Sequence, residues 1–130
     1  LRVGGAGGGM AAEQGQASGQ NNLGWMYAKG EGVPRDKGGA VKWWRKAAEQ
    51  GDAEAQYNLG LMYDKGEGVP EDDVAAYAWI SVAAASGDDK HRKVRDRIKR
   101  DLTPSQLERG RAMARKIYER IEKRKATKGE

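Results

Sequence analysis

Residues 47–82 read AAEQGDAEAQYNLGLMYDKGEGVPEDDVAAYAWISV, and residues 11–46 read AAEQGQASGQNNLGWMYAKGEGVPRDKGGAVKWWRK. Aligned without a gap, 21 of the 36 positions are identical. A fixed period of this size marks a solenoid, in which each unit buries its apolar face only by stacking on its neighbours. Solenoids work mostly as binding surfaces rather than as reaction vessels, and the functional reading starts from there.

Each unit reads as two helices. In the second, Asp52 stands where an N-cap belongs, before a stretch in which Ala55, Leu59, Met62 and Tyr63 recur at helical spacing. Lys65-Gly66 supplies a C-terminal cation and a stop, and Gly66-Glu67-Gly68-Val69-Pro70 is turn chemistry. Asp72 or Asp73 caps the next helix, whose inward stripe is Ala76, Trp79, Ile80 and Ala83, and Ser86-Gly87 closes it. The first unit follows the same plan with Leu23, Met26 and Tyr27, then Ala40, Trp43 and Trp44. Its second helix begins Lys37-Gly38-Gly39, and two glycines at roughly 1 kcal/mol each relative to Ala predict a frayed start. Gly24 and Gly60 fall mid-helix, and with the alanine pairs 47/48 and 83/84 they call for close helix approach beside large neighbours, Trp43 and Trp79. Those two tryptophans correspond across the repeat, so both are expected in the core.

After Gly87 the period fades. Residues 88–101 still read as a helix with His91, Val94, Ile98 and Leu102 on one stripe. Thr103-Pro104-Ser105-Gln106 opens another, with Thr as N-cap, Pro at the first helical position and Gln three residues on. That last helix turns Leu107, Gly110, Ala114, Ile117 and Ile121 inward and runs out into Lys123-Arg124-Lys125. The expected organisation is a Gly-rich disordered segment at 1–10, two repeats at 11–87, capping helices at 88–126 and a tail at 127–130.

The 130-residue chain has no cysteine, which removes disulfides and thiolate chemistry. No run of about 18 apolar residues is present, so no membrane span is expected. The N-terminal LRVGGAGGG lacks an apolar core and is not a signal peptide as it stands. The net charge of +5 is uneven: residues 1–82 carry 8 Lys/Arg against 11 Asp/Glu, and residues 83–130 carry 16 against 8.

Leu59-Gly60, Tyr63, Gly66, Gly68-Val69, Ala76, Trp79, Ala83-Ala84 and Gly87 form a pattern seen twice. The first unit has it at Leu23-Gly24, Tyr27, Gly30, Gly32-Val33, Ala40, Trp43, Ala47-Ala48 and Gly51. This resembles the Sel-one-like repeat (SLR) family, a relative of the tetratricopeptide repeat, over about residues 11–87. The LTPSQL-led helix also looks like the tail common in bacterial members. The resemblance implies an all-α fold, a right-handed α/α superhelix whose first helices line a concave face. It also implies scaffold or adaptor work, often in exported bacterial proteins, periplasmic or secreted, or in signalling complexes. Disulfides that tie helix pairs in some secreted relatives are ruled out here. Two units plus a cap fall short of the roughly three repeats normally needed for stability, so the chain either belongs to a longer array or pairs with itself.

By the same resemblance, the exposed residues of the first helices are Ser18, Asn21, Asn22, Trp25 and Lys29, then Glu54, Tyr57, Asn58, Leu61, Asp64 and Lys65. Asn22 and Asn58 are candidates to hold a peptide backbone through paired donor and acceptor, with Trp25, Tyr57 and Leu61 as apolar anchors. The competing reading has Asn22 and Asn58 bracing adjacent helices and Trp25 covered by a preceding repeat.

No catalytic, cofactor-binding or metal-binding residues are expected. The Gly-rich loops lack the Lys-Ser/Thr of a phosphate cradle, and His91 stands without partners at metal-ligand spacing. Small-molecule hydrolysis would need a nucleophile–base pair that the chain does not offer. The basic C-terminal helices are a rival surface for an acidic protein partner or nucleic acid, but interleaved acids dilute them and disfavour nucleic acid. The expectation is therefore a non-enzymatic protein–protein interaction scaffold.

Overall fold

Capping carboxylates divide the chain into helices. The computed structural model describes residues 15–129. Six α-helices run α1 (Ala17–Lys29), α2 (Lys37–Glu49), α3 (Ala53–Lys65), α4 (Asp73–Ala84), α5 (Asp89–Arg100) and α6 (Pro104–Gly129), with no strand among the described residues. The Gly-rich segment 1–10 and the opening residues of the first 36-mer lie outside them.

Four aspartates start four helices. Asp36 accepts from the Gly39 amide at 3.0 Å, Asp52 from Glu54 and Ala55 at 3.0 and 3.2 Å, Asp72 from Ala75 at 3.0 Å, and Asp88 from Lys90 at 2.7 Å. The predicted frayed start of α2 is absent, and the helix is continuous from Lys37. A cap is worth about 1 kcal/mol, enough to offset one of the two glycines that follow. Glycines 30 and 66, both left-handed, terminate α1 and α3. At α6 the capping box closes reciprocally: Gln106 N donates to Thr103 Oγ1 at 3.1 Å and Thr103 N to Gln106 Oε1 at 2.9 Å.

The helices stack in chain order. α1 packs on α2, α2 on α3 and α3 on α4, while α4 takes α5 and α6 against it. One core cluster runs through Trp44, Leu59, Met62, Trp79, Ile117 and Ile121, and a second joins Ala76, Tyr77, Ile80 and Ile98. Two guanidiniums fasten the long α6 to the end of α2. Arg120 makes a bidentate pair with Glu49 (2.9 and 2.6 Å), and Arg124 Nη1 donates to the Glu49 carbonyl at 3.1 Å. The carboxylate beside it pushes the Arg120 pKa up.

The mid-helix glycines do mark close approach, but to different partners from those the repeat suggested. A methyl at Gly24 would meet the indole of Trp44 at 2.5 Å, and one at Gly60 would overlap the side chain of Ile80. Positions 44 and 80 are one repeat apart, so the same groove receives a ring in one unit and an isoleucine in the next. Trp43 departs from expectation. Trp79 is 1% exposed, but Trp43 is only half-buried and lies under the ammonium groups of Lys46 (4.5 Å) and Lys42 (5.7 Å). The reason lies in the neighbours: α4 is covered by α5 and α6, whereas α2 packs on α1 and α3.

Candidate partner-binding groove

α1 and α3 lie in successive units, and the residues expected to line their shared surface fall into three groups. The first is structural. Asn21 and Asn58 are 7% and 5% exposed, with Asn58 Nδ2 donating to Asn21 Oδ1 at 3.3 Å. Trp44 Nε1 donates to the Asn21 carbonyl at 3.2 Å. Asn58 therefore braces one unit against the other, with its Nδ2 committed to Asn21. Asn58→Ala leaves the buried Asn21 oxygen without its donor, and an expected loss of about 1–2 kcal/mol should appear in a urea melt. Gln50 and Gln20 join the same seam side chain to side chain (2.6 Å), and Gln56 Nε2 reaches the Ala48 carbonyl at 3.1 Å.

The second group is taken up by α5. Tyr57 stacks on His91 with ring centroids 4.5 Å apart and an interplanar angle of 22°, and Lys90 Nζ sits 4.9 Å from the Tyr57 centroid. Asp64 Oδ2 accepts from Arg97 at 3.0 Å. His91 is buried, its Nδ1 3.4 Å from the Ala83 carbonyl and its Nε2 3.9 Å from Asp88. The Lys90 amide, with His91 nearby, holds the Asp88 carboxyl below its ordinary range, so the cap of α5 is ionised at neutral pH. Tyr57 and Asp64 thus join α3 to α5.

The third group remains open. Ser18, Asn22, Lys29, Glu54 and Lys65 are exposed, and Trp25 is 37% exposed. Trp25 meets Trp44 edge-on at 5.1 Å and 81°, which fixes its ring, and Lys29 Nζ lies 5.3 Å from its centroid. A cleft of about 240 Å³ opens beside it, walled by Trp25, Leu61, Met62 and Lys65, with Asn58 at its base. Arg35 and Lys37 complete the rim from the loop after α1 and the start of α2. The repeat pattern gave no sign of either, because their place depends on how that loop folds back over the groove.

The basic helices are partly neutralised. Arg92 pairs with Asp89, Arg95 with Asp96 (3.0 Å), Arg97 with Asp64, Arg120 with Glu49, and Lys125 with Glu122 (3.6 Å). Among the described residues, no group of three or more His, Asp or Glu side chains could hold a metal ion, and no helix is long and apolar enough to cross a membrane.

Solved structures with the same architecture include two bacterial repeat proteins. A protective antigen present in uropathogenic Escherichia coli strains, with an SLR fold, superposes with a TM-score of 0.84 at 35% identity over 88% of this chain. This chain spans only 25% of that one. A Sel1 repeat protein from Oxalobacter formigenes gives a TM-score of 0.67 at 45% identity, covering 68% of this chain and 67% of its own. No curated protein sequence matches significantly. The Sel1 repeat pattern matches twice, at residues 17–52 and 53–88, framing each unit as one helical hairpin. Sel1 repeats generally serve as protein–protein interaction scaffolds and are typically non-enzymatic. Paired hairpins, a shared inter-unit seam and two matched repeats place this chain in the Sel1 repeat family.

Proposed function

We propose that the protein is a non-enzymatic scaffold that receives a segment of a partner protein in the groove between α1 and α3. The observation that carries this reading is Trp25. A large aromatic ring stands one-third exposed, held edge-on by Trp44, at the mouth of a cleft with apolar walls. A rigid aromatic beside a pocket has the character of an interface anchor, since little side-chain entropy is lost when it is covered. Leu61 and Met62 extend the apolar wall, and the exposed Asn22 amide lies one turn from Trp25 on α1.

The test is a pull-down with the wild type beside a Trp25→Ala/Leu61→Ala variant, with thermal melts of both. Loss of bound partners with a melting curve changed by no more than a few degrees is the expected result. Retention of the same partners by the variant would move the site elsewhere on the solenoid.

A further inference from the structure

We infer that the segment taken by this groove is acidic and carries one large apolar side chain. The inference rests on the groove reading above and adds the chemistry of the occupant.

Charge around the cleft runs against its surroundings. Residues 1–82 carry an excess of acids, yet the cleft is lined by Arg35, Lys37 and Lys65 against the single carboxylate of Glu67. Lys37 Nζ pairs with Glu67 at 3.3 Å, which leaves Arg35 and Lys65 with no carboxylate partner among the described residues. Lys29 adds a third cation over Trp25. On the other side of α3 the charges are already matched, Asp64 by Arg97. Cations left unpaired beside a low-dielectric wall attract carboxylates and speed their encounter, and charge-assisted hydrogen bonds then hold them.

The cleft sets the rest of the occupant. At about 240 Å³ it falls below the roughly 300–1,000 Å³ of small-molecule sites and suits a single side chain. Its apolar walls, Trp25, Leu61 and Met62, favour a leucine- or phenylalanine-sized group. A nucleic-acid strand would need successive stacking rings along a cationic track. Here Trp25 is the one free ring lining the cleft, its neighbour Trp44 being buried, and the two rings of α3 are engaged elsewhere, Tyr57 stacked on His91 and Tyr63 accepting a hydrogen bond from Arg45.

The test is fluorescence anisotropy on the whole chain with three labelled peptides of equal length, each with a central leucine and otherwise Asp/Glu-rich, Asn/Gln-rich or Lys-rich. A single-stranded oligothymidine is the fourth probe. The acidic peptide is expected to bind about tenfold more tightly than the neutral one, with the preference shrinking as salt rises. Arg35→Glu/Lys65→Glu should weaken it about tenfold and strengthen the Lys-rich peptide, and Trp25→Ala should abolish both. These positions are exposed, and an unchanged circular dichroism melt accompanies the expected result. Equal or tighter binding of the neutral or Lys-rich peptide to the wild type, still dependent on Trp25, overturns the acidic assignment and leaves the groove standing. Binding indifferent to Trp25, or no binding of any peptide, overturns both. Oligothymidine binding lost in the charge-reversed variant would make the surface a nucleic-acid site and overturn the proposal.

Discussion

Trp79→Ala is expected to destabilise the protein by about 3–5 kcal/mol, enough to remove a large part of a small domain's stability. The ring is 1% exposed and belongs to the same cluster as Leu59 of α3 and Ile117 and Ile121 of α6. Its loss opens a cavity among three helices from both the repeats and the closing hairpin. A two-state melt should lose more than about 10 °C. Trp43→Ala supplies the control. That ring occupies the corresponding repeat position but is half-buried under two lysines, so it should cost about 1–2 kcal/mol. Trp79→Phe sharpens the test. Trp79 Nε1 has no hydrogen-bond partner among the described residues, and an unpaired buried donor already costs about 1–3 kcal/mol. Phenylalanine removes that donor while keeping most of the apolar contact, and should lose less than half of what alanine loses. Equal losses for Trp43→Ala and Trp79→Ala would refute the asymmetric burial of the two rings.

Gly68→Ala comes next, at about 2–5 kcal/mol. Gly68 has φ +75°, where an L-residue costs roughly 1–2 kcal/mol. Space adds to the cost: a Cβ would stand 2.5 Å from the Lys37 carbonyl oxygen and 2.9 Å from Val41 Cγ2, both on α2 of the preceding unit. Neither the carbonyl nor the packed valine moves cheaply, which adds about 1–3 kcal/mol. Gly32 holds the equivalent loop position with φ +77°, but its Cβ would approach only the flexible Met26 methyl at 3.3 Å. Gly32→Ala should therefore show the backbone cost alone, about 1–2 kcal/mol. The difference between the two substitutions, read from parallel chemical melts, measures how tightly the second loop seats on the first unit. Equal costs would mean that the units do not stack as described.

Much of this architecture was legible in the residues. The 36-residue repeat located both hairpins, the Gly-Glu-Gly-Val-Pro loops and the small residues where helices approach. The Thr103–Gln106 box and the stripe through His91 and Ile98 placed the closing helices. Those features are local, and helical periodicity, caps and turn chemistry act within a few residues of chain.

Tertiary contact decided the rest. A repeat shows which positions are equivalent but not what covers each one, and the two units have different neighbours. Trp79 is sealed under the closing helices while Trp43 is not, and Tyr57 and Asp64 are drawn into the α3–α5 junction. Asn58 turns inward to Asn21 because the neighbouring helix offers an acceptor there. Arg35 and Lys37, close together in sequence but apart from the helices they serve, reach the groove rim only once the loop after α1 has folded back. Sequence by itself determined the hairpins and their order, since these follow from short-range backbone preferences. Which side chains remained free to meet a partner was decided only by the packing of one unit against the next.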